Sequence, residues 1–256
     1  MITTTAILWV LSALAAITAI VANVAKLIDR KRQTLRPTRH EYTGLVDPIE
    51  SLPKRAAPML AGRTMERVAK FADVSQLIQT GDLISFSGRT LFAYAIRCFT
   101  YSDKSHVGIV VKDDEGIWIV DSCEGLGVTK RVLYDDIKAY PGQYYFHPIR
   151  HGLRHFYKRE KCAAKAMESV RANVKYGWAG IVLQFILHAP VLRTLAYLIG
   201  FASCKRFTER PFCSMAVTSW MRGAALDPVI GRDAQLVVPQ DLNQSLAFEE
   251  GIALLP

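Results

Sequence analysis

Apolar residues recur along the chain in three patterns, and each predicts a different element. From Ile2 to Ala25 runs a stretch of twenty-four residues without a formal charge, mostly Ala, Ile, Leu and Val. At 1.5 Å per residue a helix of that length crosses a hydrocarbon core of about 30 Å. Short β-rich runs come later, at Leu83 to Phe86, His106 to Val111, Ile117 to Val120, Val128 to Leu133 and Gln143 to Ile149. The second and third of these flank Asp113 to Gly116, a turn-forming stretch, and so predict an antiparallel hairpin. Helical spacing marks Arg63 to Gln79, Leu91 to Thr100 and Tyr157 to Lys175, and Met215, Ala216 and Trp220 extend a helix that begins near Cys213. The class that results is mixed α+β. A last apolar region, residues 179 to 203, is interrupted by Gln184, His188, Pro190 and Arg193. It makes a poor membrane span and is expected to be a buried helical pair or a lid that meets lipid.

Charge sharpens the reading of the amino-terminal run. Of a net +9, a block containing Lys26, Arg30, Lys31, Arg32, Arg36 and Arg39 against Asp29 carries +5, immediately after the apolar stretch. The positive-inside bias then places the chain beyond this block on the cytoplasmic side, as a single-pass membrane protein. A cleaved secretory signal would need a positive segment before the apolar run, and Met1 to Thr5 supplies only the terminal amine. Nucleic acid is excluded as the partner because the basic block lacks interleaved aromatic residues for stacking; anionic lipid is the expected one. Pro37, Pro48, Pro53 and Pro58 deny helix propagation after it. The expected organisation is an anchor with its basic flank over 1–33, a Pro-rich linker with a short helix over 34–80, and one catalytic domain over 81–256.

The five cysteines, Cys98, Cys123, Cys162, Cys204 and Cys213, are odd in number and form no CxxC pair. That argues against a disulfide framework or a zinc site, and no cofactor is expected. Thiol catalysis needs a thiolate, an imidazole to exchange its proton and a polar group to orient the imidazole. His106 opens one strand of the expected hairpin and Asp121 ends the other, so that the two side chains can share a face. Cys213, in Pro-Phe-Cys-Ser-Met-Ala-Val, stands where a helix start would favour its thiolate. His147, His151 and His155 have no carboxylate at ligand spacing and are expected at the surface; Cys98, Cys123, Cys162 and Cys204 are expected to be buried or partly buried thiols.

The stretch Gly81-Asp-Leu-Ile-Ser-Phe, the Ser105-His-Val-Gly-Ile block, the Phe212-Cys-Ser block and the late Pro239-Gln-Asp-Leu, in that order, resemble the permuted papain-like amidases of the YaeF and YiiX kind. These are relatives of the NlpC peptidases and of lecithin retinol acyltransferase. The resemblance covers about 81 to 248 and implies a circularly permuted papain-like fold with an antiparallel sheet and packed helices, behind one transmembrane helix. It implies Cys213 as nucleophile, His106 as general base and Asp121 as the residue that holds the imidazole, with Glu124 as the alternative, since the group commonly has Glu. It also places Tyr176, in Lys-Tyr-Gly-Trp, in the cleft. Met215 departs from the group, which usually has a carboxylate two residues after the cysteine.

The expected activity is that of a cysteine hydrolase or acyltransferase acting on a peptide amide or a lipid acyl group through a thioester. The alternative, from a different class, is a membrane-bound scaffold that keeps the fold without the chemistry.

Overall fold

A computed structural model describes residues 54–56, 65–100, 102–178, 180, 181 and 210–256. The chain divides into two units, Met1–Asp47 and Pro48–Pro256, and every described residue belongs to the second. The expected anchor, most of the linker and most of the interrupted apolar region lie outside the described residues. Among those described, no helix is long and apolar enough to cross a membrane.

Eight strands form one sheet: β1 (Lys54–Ala56), β2 (Met65–Lys70), β3 (Leu83–Ser87), β4 (His106–Asp113), β5 (Gly116–Cys123), β6 (Gly127–Val132), β7 (Gln143–His147) and β8 (Ile252–Leu255). Their spatial order is β1-β2-β8-β7-β3-β4-β5-β6. The expected hairpin is β4–β5, closed at Asp113, whose Oδ1 accepts the N–H groups of Glu115 and Gly116 at 3.0 Å each. The sheet is mixed rather than purely antiparallel, because β2 runs parallel to β8.

That pair also corrects the helix expected from Arg63 to Gln79. Residues 65–70 are a strand, and only Phe71–Val74 (α1) is helical. Met-Glu-Arg-Val-Ala-Lys has no strong local preference, and its ladder is supplied by Ile252–Leu255 from the far end of the chain. The sheet therefore recruits residues before 81.

Alternation along the strands separates two cores. On one face Leu83, Val107, Ile109 and Val120 pack with Cys162, Ala163 and Ala166 of α4 (Arg159–Arg171) and with Ala216, Val217, Trp220 and Met221 of α5 (Cys213–Arg222). On the other, Ile84, Phe86, Val110 and Ile119 pack with Val74, Ile78 and the Leu133 and Ile137 side chains of α3 (Leu133–Ala139). Each fully buried aliphatic or aromatic side chain contributes about 1.5–3 kcal/mol, so both faces hold the sheet. Helix α4 is shorter than its apolar pattern because Asn173 takes a left-handed conformation, φ 49°, and stops it. Among the described residues the remaining α-helices are α2 (Leu91–Thr100) and α6 (Pro239–Asn243).

The Gly81-Asp82 pair brackets this fold. Gly81 has φ 82°, and a Cβ there would meet the Tyr157 hydroxyl at 2.4 Å. Buried Asp82 accepts the Ile149 and Gln79 N–H groups at 3.1 and 2.9 Å and pairs with Arg159 at 2.9 Å. The motif ties β3 to the start of α4.

Candidate active site

The site forms where the ends of β4 and β5 meet the start of α5. His106 Nε2 lies 2.8 Å from Asp121 Oδ2; the imidazole keeps 19% of its side-chain surface exposed and the carboxylate none. The register places Asp121 opposite Gly108 and not opposite His106, so the carboxylate reaches the ring diagonally across the ladder. Gly108 makes that reach possible. A Cβ on residue 108 would sit 2.9 Å from Asp121 Cβ and 3.0 Å from Ile119 Cδ1. The glycine two residues after the histidine is thus the space that the carboxylate crosses.

Cys213 and Cys123 both act on the same ring, the charge of Cys213 foremost, and raise its affinity for a proton. Nε2 is engaged by Asp121, which leaves Nδ1 for another partner. Cys213 is the first residue of α5, and no side chain caps that helix. Its first-turn N–H groups are free to face negative charge developing beside the sulfur. Burial alone would discharge His106, but the charge of Cys213 and the hydrogen bond that the ring donates to Asp121 outweigh it and hold the ring well above the ordinary histidine value. Burial raises and the His106 and Arg131 contacts lower the Asp121 carboxyl, leaving it at about 2. A charged imidazolium held against the buried Asp121 carboxylate is the state that this arrangement favours.

Tyr176 lies against Phe212, Met215 and Ile181 in a small apolar cluster. The chain places it there through Gly177, whose N–H bonds Pro211 O at 3.3 Å and where a Cβ would meet Arg210 O at 1.8 Å. Burial pushes the phenol well above its usual value, and the nearby Cys213 charge adds to that, so the hydroxyl keeps its proton for donation. Glu124, the alternative carboxylate, is exposed in the β5–β6 turn and makes no hydrogen bond to His106 among the described residues.

At this point comparison with known proteins adds little. No protein-family model matches the chain, and no curated protein matches it. The chain is similar to a solved structure described as the crystal structure of metalloprotein yiiX from Escherichia coli O157:H7. The identity is 16% and the TM-score 0.48, over 67% of this chain and 95% of that one.

The chain's own donors decide whether a cation suits this site. Donor atoms of His106, Asp121 and Cys123 lie within 4.8 Å of one another, close enough in spacing for a metal ion. Arg131 already fills the cation's role: its Nη1 lies 2.9 Å from both Asp121 Oδ1 and Cys123 Sγ. A divalent ion there would face a fixed guanidinium, so the cluster fits a charge-paired network and not a metal centre.

Several of these residues carry no signal in the linear sequence. Cys123, expected as a buried or partly buried thiol, is half-buried and in addition bonds both Asp121 oxygens at 3.3 Å. Arg131 and Thr129 face Asp121 because β6 pairs Thr129 with it; only that register reveals them. Cys98, also expected to be buried, is exposed, whereas Cys162 is buried and its thiol is pushed up to about 11 by burial. Cys204 lies outside the described residues. His151 and His155 are exposed as expected, but His147 is buried, 2.8 Å from Ser85 Oγ through Nε2, and burial holds it down at about 3. Its alternation on β7 puts it inside, a signal hidden by the close spacing of the three histidines.

Proposed function

We propose that this protein is a membrane-anchored cysteine hydrolase or acyltransferase, with Cys213 as nucleophile, His106 as its base and acid, and Asp121 as the residue that orients the ring. The observation that supports the reading is the His106 imidazole bonded to the buried Asp121 carboxylate and raised further by the charge of Cys213, which stands at a helix start. Few structural roles call for that combination, and thiol acyl transfer requires it.

The reaction runs in two halves. The Cys213 thiolate adds to an amide or ester carbonyl, and the free N–H groups of the first turn of α5 face the oxyanion. Collapse breaks the carbonyl–leaving-group bond while His106 gives its Nδ1 proton to the departing amine or alcohol, leaving an acyl-thioester on Cys213. His106 then takes a proton from water, or from an acceptor hydroxyl or amine, as that group adds to the thioester. The second collapse returns the thiolate and the imidazolium. Asp121 stays ionised throughout and fixes which ring nitrogen faces the sulfur.

An acyl substrate with an apolar chain is the better fit. Trp178, 45% exposed, packs tilted against Phe92 with ring centroids 5.5 Å apart and edge-on against Tyr176 at 5.4 Å, which places an exposed aromatic group beside Tyr176. The apolar 179–203 region and the anchor with its basic flank agree with a substrate at the cytoplasmic face of a bilayer. The test is a set of thioester and ester substrates differing only in acyl length, assayed with the full chain and with Cys213→Ala. Each two-carbon shortening should weaken binding about tenfold, from about 0.8 kcal/mol per methylene. A flat series points to peptide amides instead, and undiminished turnover by Cys213→Ala refutes the mechanism.

A further inference from the structure

The Asp121 carboxylate is held on the side away from His106 by a two-pronged guanidinium. Arg131 Nη1 donates to Oδ1 at 2.9 Å and Nη2 donates to Oδ2 at 3.0 Å. Such a fork fixes the plane of a carboxylate as well as its charge. Arg131 is itself pinned: its Nε donates to Asp136 Oδ2 at 2.8 Å, and the Tyr144 hydroxyl donates to that same oxygen at 3.0 Å. A continuous hydrogen-bonded chain therefore runs from His106 through Asp121 and Arg131 to Asp136 and Tyr144.

We propose that Arg131 is a positioning residue of this site, which clamps Asp121 in the plane that His106 needs and sets the charge balance of the thiol–imidazole pair. The proposal rests on the hydrolase reading above and adds a residue that touches neither the Cys213 sulfur nor substrate. The geometry makes the need clear. Asp121 has no exposed surface and faces two cations, so without the fork a buried carboxylate would lose its two-point hold and would be left with one counter-charge.

Other groups facing the pair are Cys213 from α5, Cys123 from β5 and Tyr176 from the segment after α4. From the opposite side Asp136 of α3, Tyr140 just after it and Tyr144 of β7 complete the surroundings. Only Arg131 among them is a fixed cation. Removing it shifts every titration in the set toward higher pH, because each deprotonation then proceeds against less positive charge.

The experiment is the rate of Cys213 alkylation by iodoacetamide in the full chain across pH, read by peptide mapping so that Cys123 is scored separately. Arg131→Gln should lower the plateau rate about 10-fold to 100-fold, the scale on which partners of a functional side chain matter. It should also move the acid limb of the profile upward. Arg131→Lys keeps the charge without the fork, so its limb should stay near the native position while its plateau remains low. Lys130→Gln, the same charge loss on the neighbouring residue that pairs with Asp113, should change neither. If Arg131→Gln misfolds, Asp136→Asn, which frees Arg131 Nε but leaves Asp121 in place, should give a smaller loss in the same direction. A native profile in Arg131→Gln, or in Asp136→Asn where the former misfolds, overturns the clamp. Loss of the profile in His106→Ala alongside a native Arg131→Gln sinks the clamp and spares the hydrolase; a native profile in both sinks both.

Discussion

Gly108→Ala tests the site through a single methyl group. The new Cβ would lie 2.9 Å from Asp121 Cβ and 3.0 Å from Ile119 Cδ1. Non-bonded carbons prefer about 3.5–4.0 Å, so relief needs a movement of about 0.5–1 Å. Both neighbours belong to β5, which is laddered to β4 on one side and β6 on the other, so neither can retreat alone. Overpacking of this kind costs about 1–3 kcal/mol, which for a domain of this size lowers Tm by about 2–12 °C. The functional effect should be larger than the stability loss. Asp121 bonds His106 at 2.8 Å, and a displacement approaching 1 Å takes the pair out of hydrogen-bond range. A misplacement of that size costs about 100-fold in rate. The assay pairs thermal melting with the alkylation rate of Cys213 and with turnover of an acyl ester. Ile119→Val is the control: it loses one buried methylene, about 1 kcal/mol, without touching the carboxylate, and should keep native thiol reactivity. A Gly108→Ala protein that melts lower yet retains native Cys213 reactivity would refute the idea that residue 108 is empty to let Asp121 reach the ring.

Two further outcomes are expected. The raised His106 contributes stability that is complete below the ordinary histidine value of 6.5 and is lost as pH rises through its folded-state value. The depressed Asp121 contributes stability present above 3.8 and lost as pH falls toward about 2. Denaturant melts across pH should therefore show both losses in the native chain, and Asp121→Asn should flatten the acid one; an unchanged acid limb would remove Asp121 from the pair. In sealed vesicles, protease added to the cytoplasmic face should digest the 81–256 region, and protection there would invert the orientation argued from the basic flank.

Much of the frame was legible in the chain because it depends on local periodicity. The strands around His106 and Asp121, the turn at Asp113 and the helix that starts at Cys213 each arise from short apolar patterns with a turn or a helix start beside them. The choice of candidate nucleophile, base and carboxylate came from elsewhere, from residue types in an order that resembles a known family, and was readable before any contact was. The tertiary structure decided the pairings between distant segments. Nothing in residues 65–70 announces a strand until Ile252–Leu255 arrives beside them, and nothing in Thr129 or Arg131 points to Asp121 until β5 and β6 take their register. His147 reads as one of three closely spaced histidines, and only the pairing of β7 with β3 turns it inward to Ser85. The physical reason is the same in each case: a side chain's chemistry belongs to the residue, but its burial and its counter-charge are supplied by residues far away in sequence.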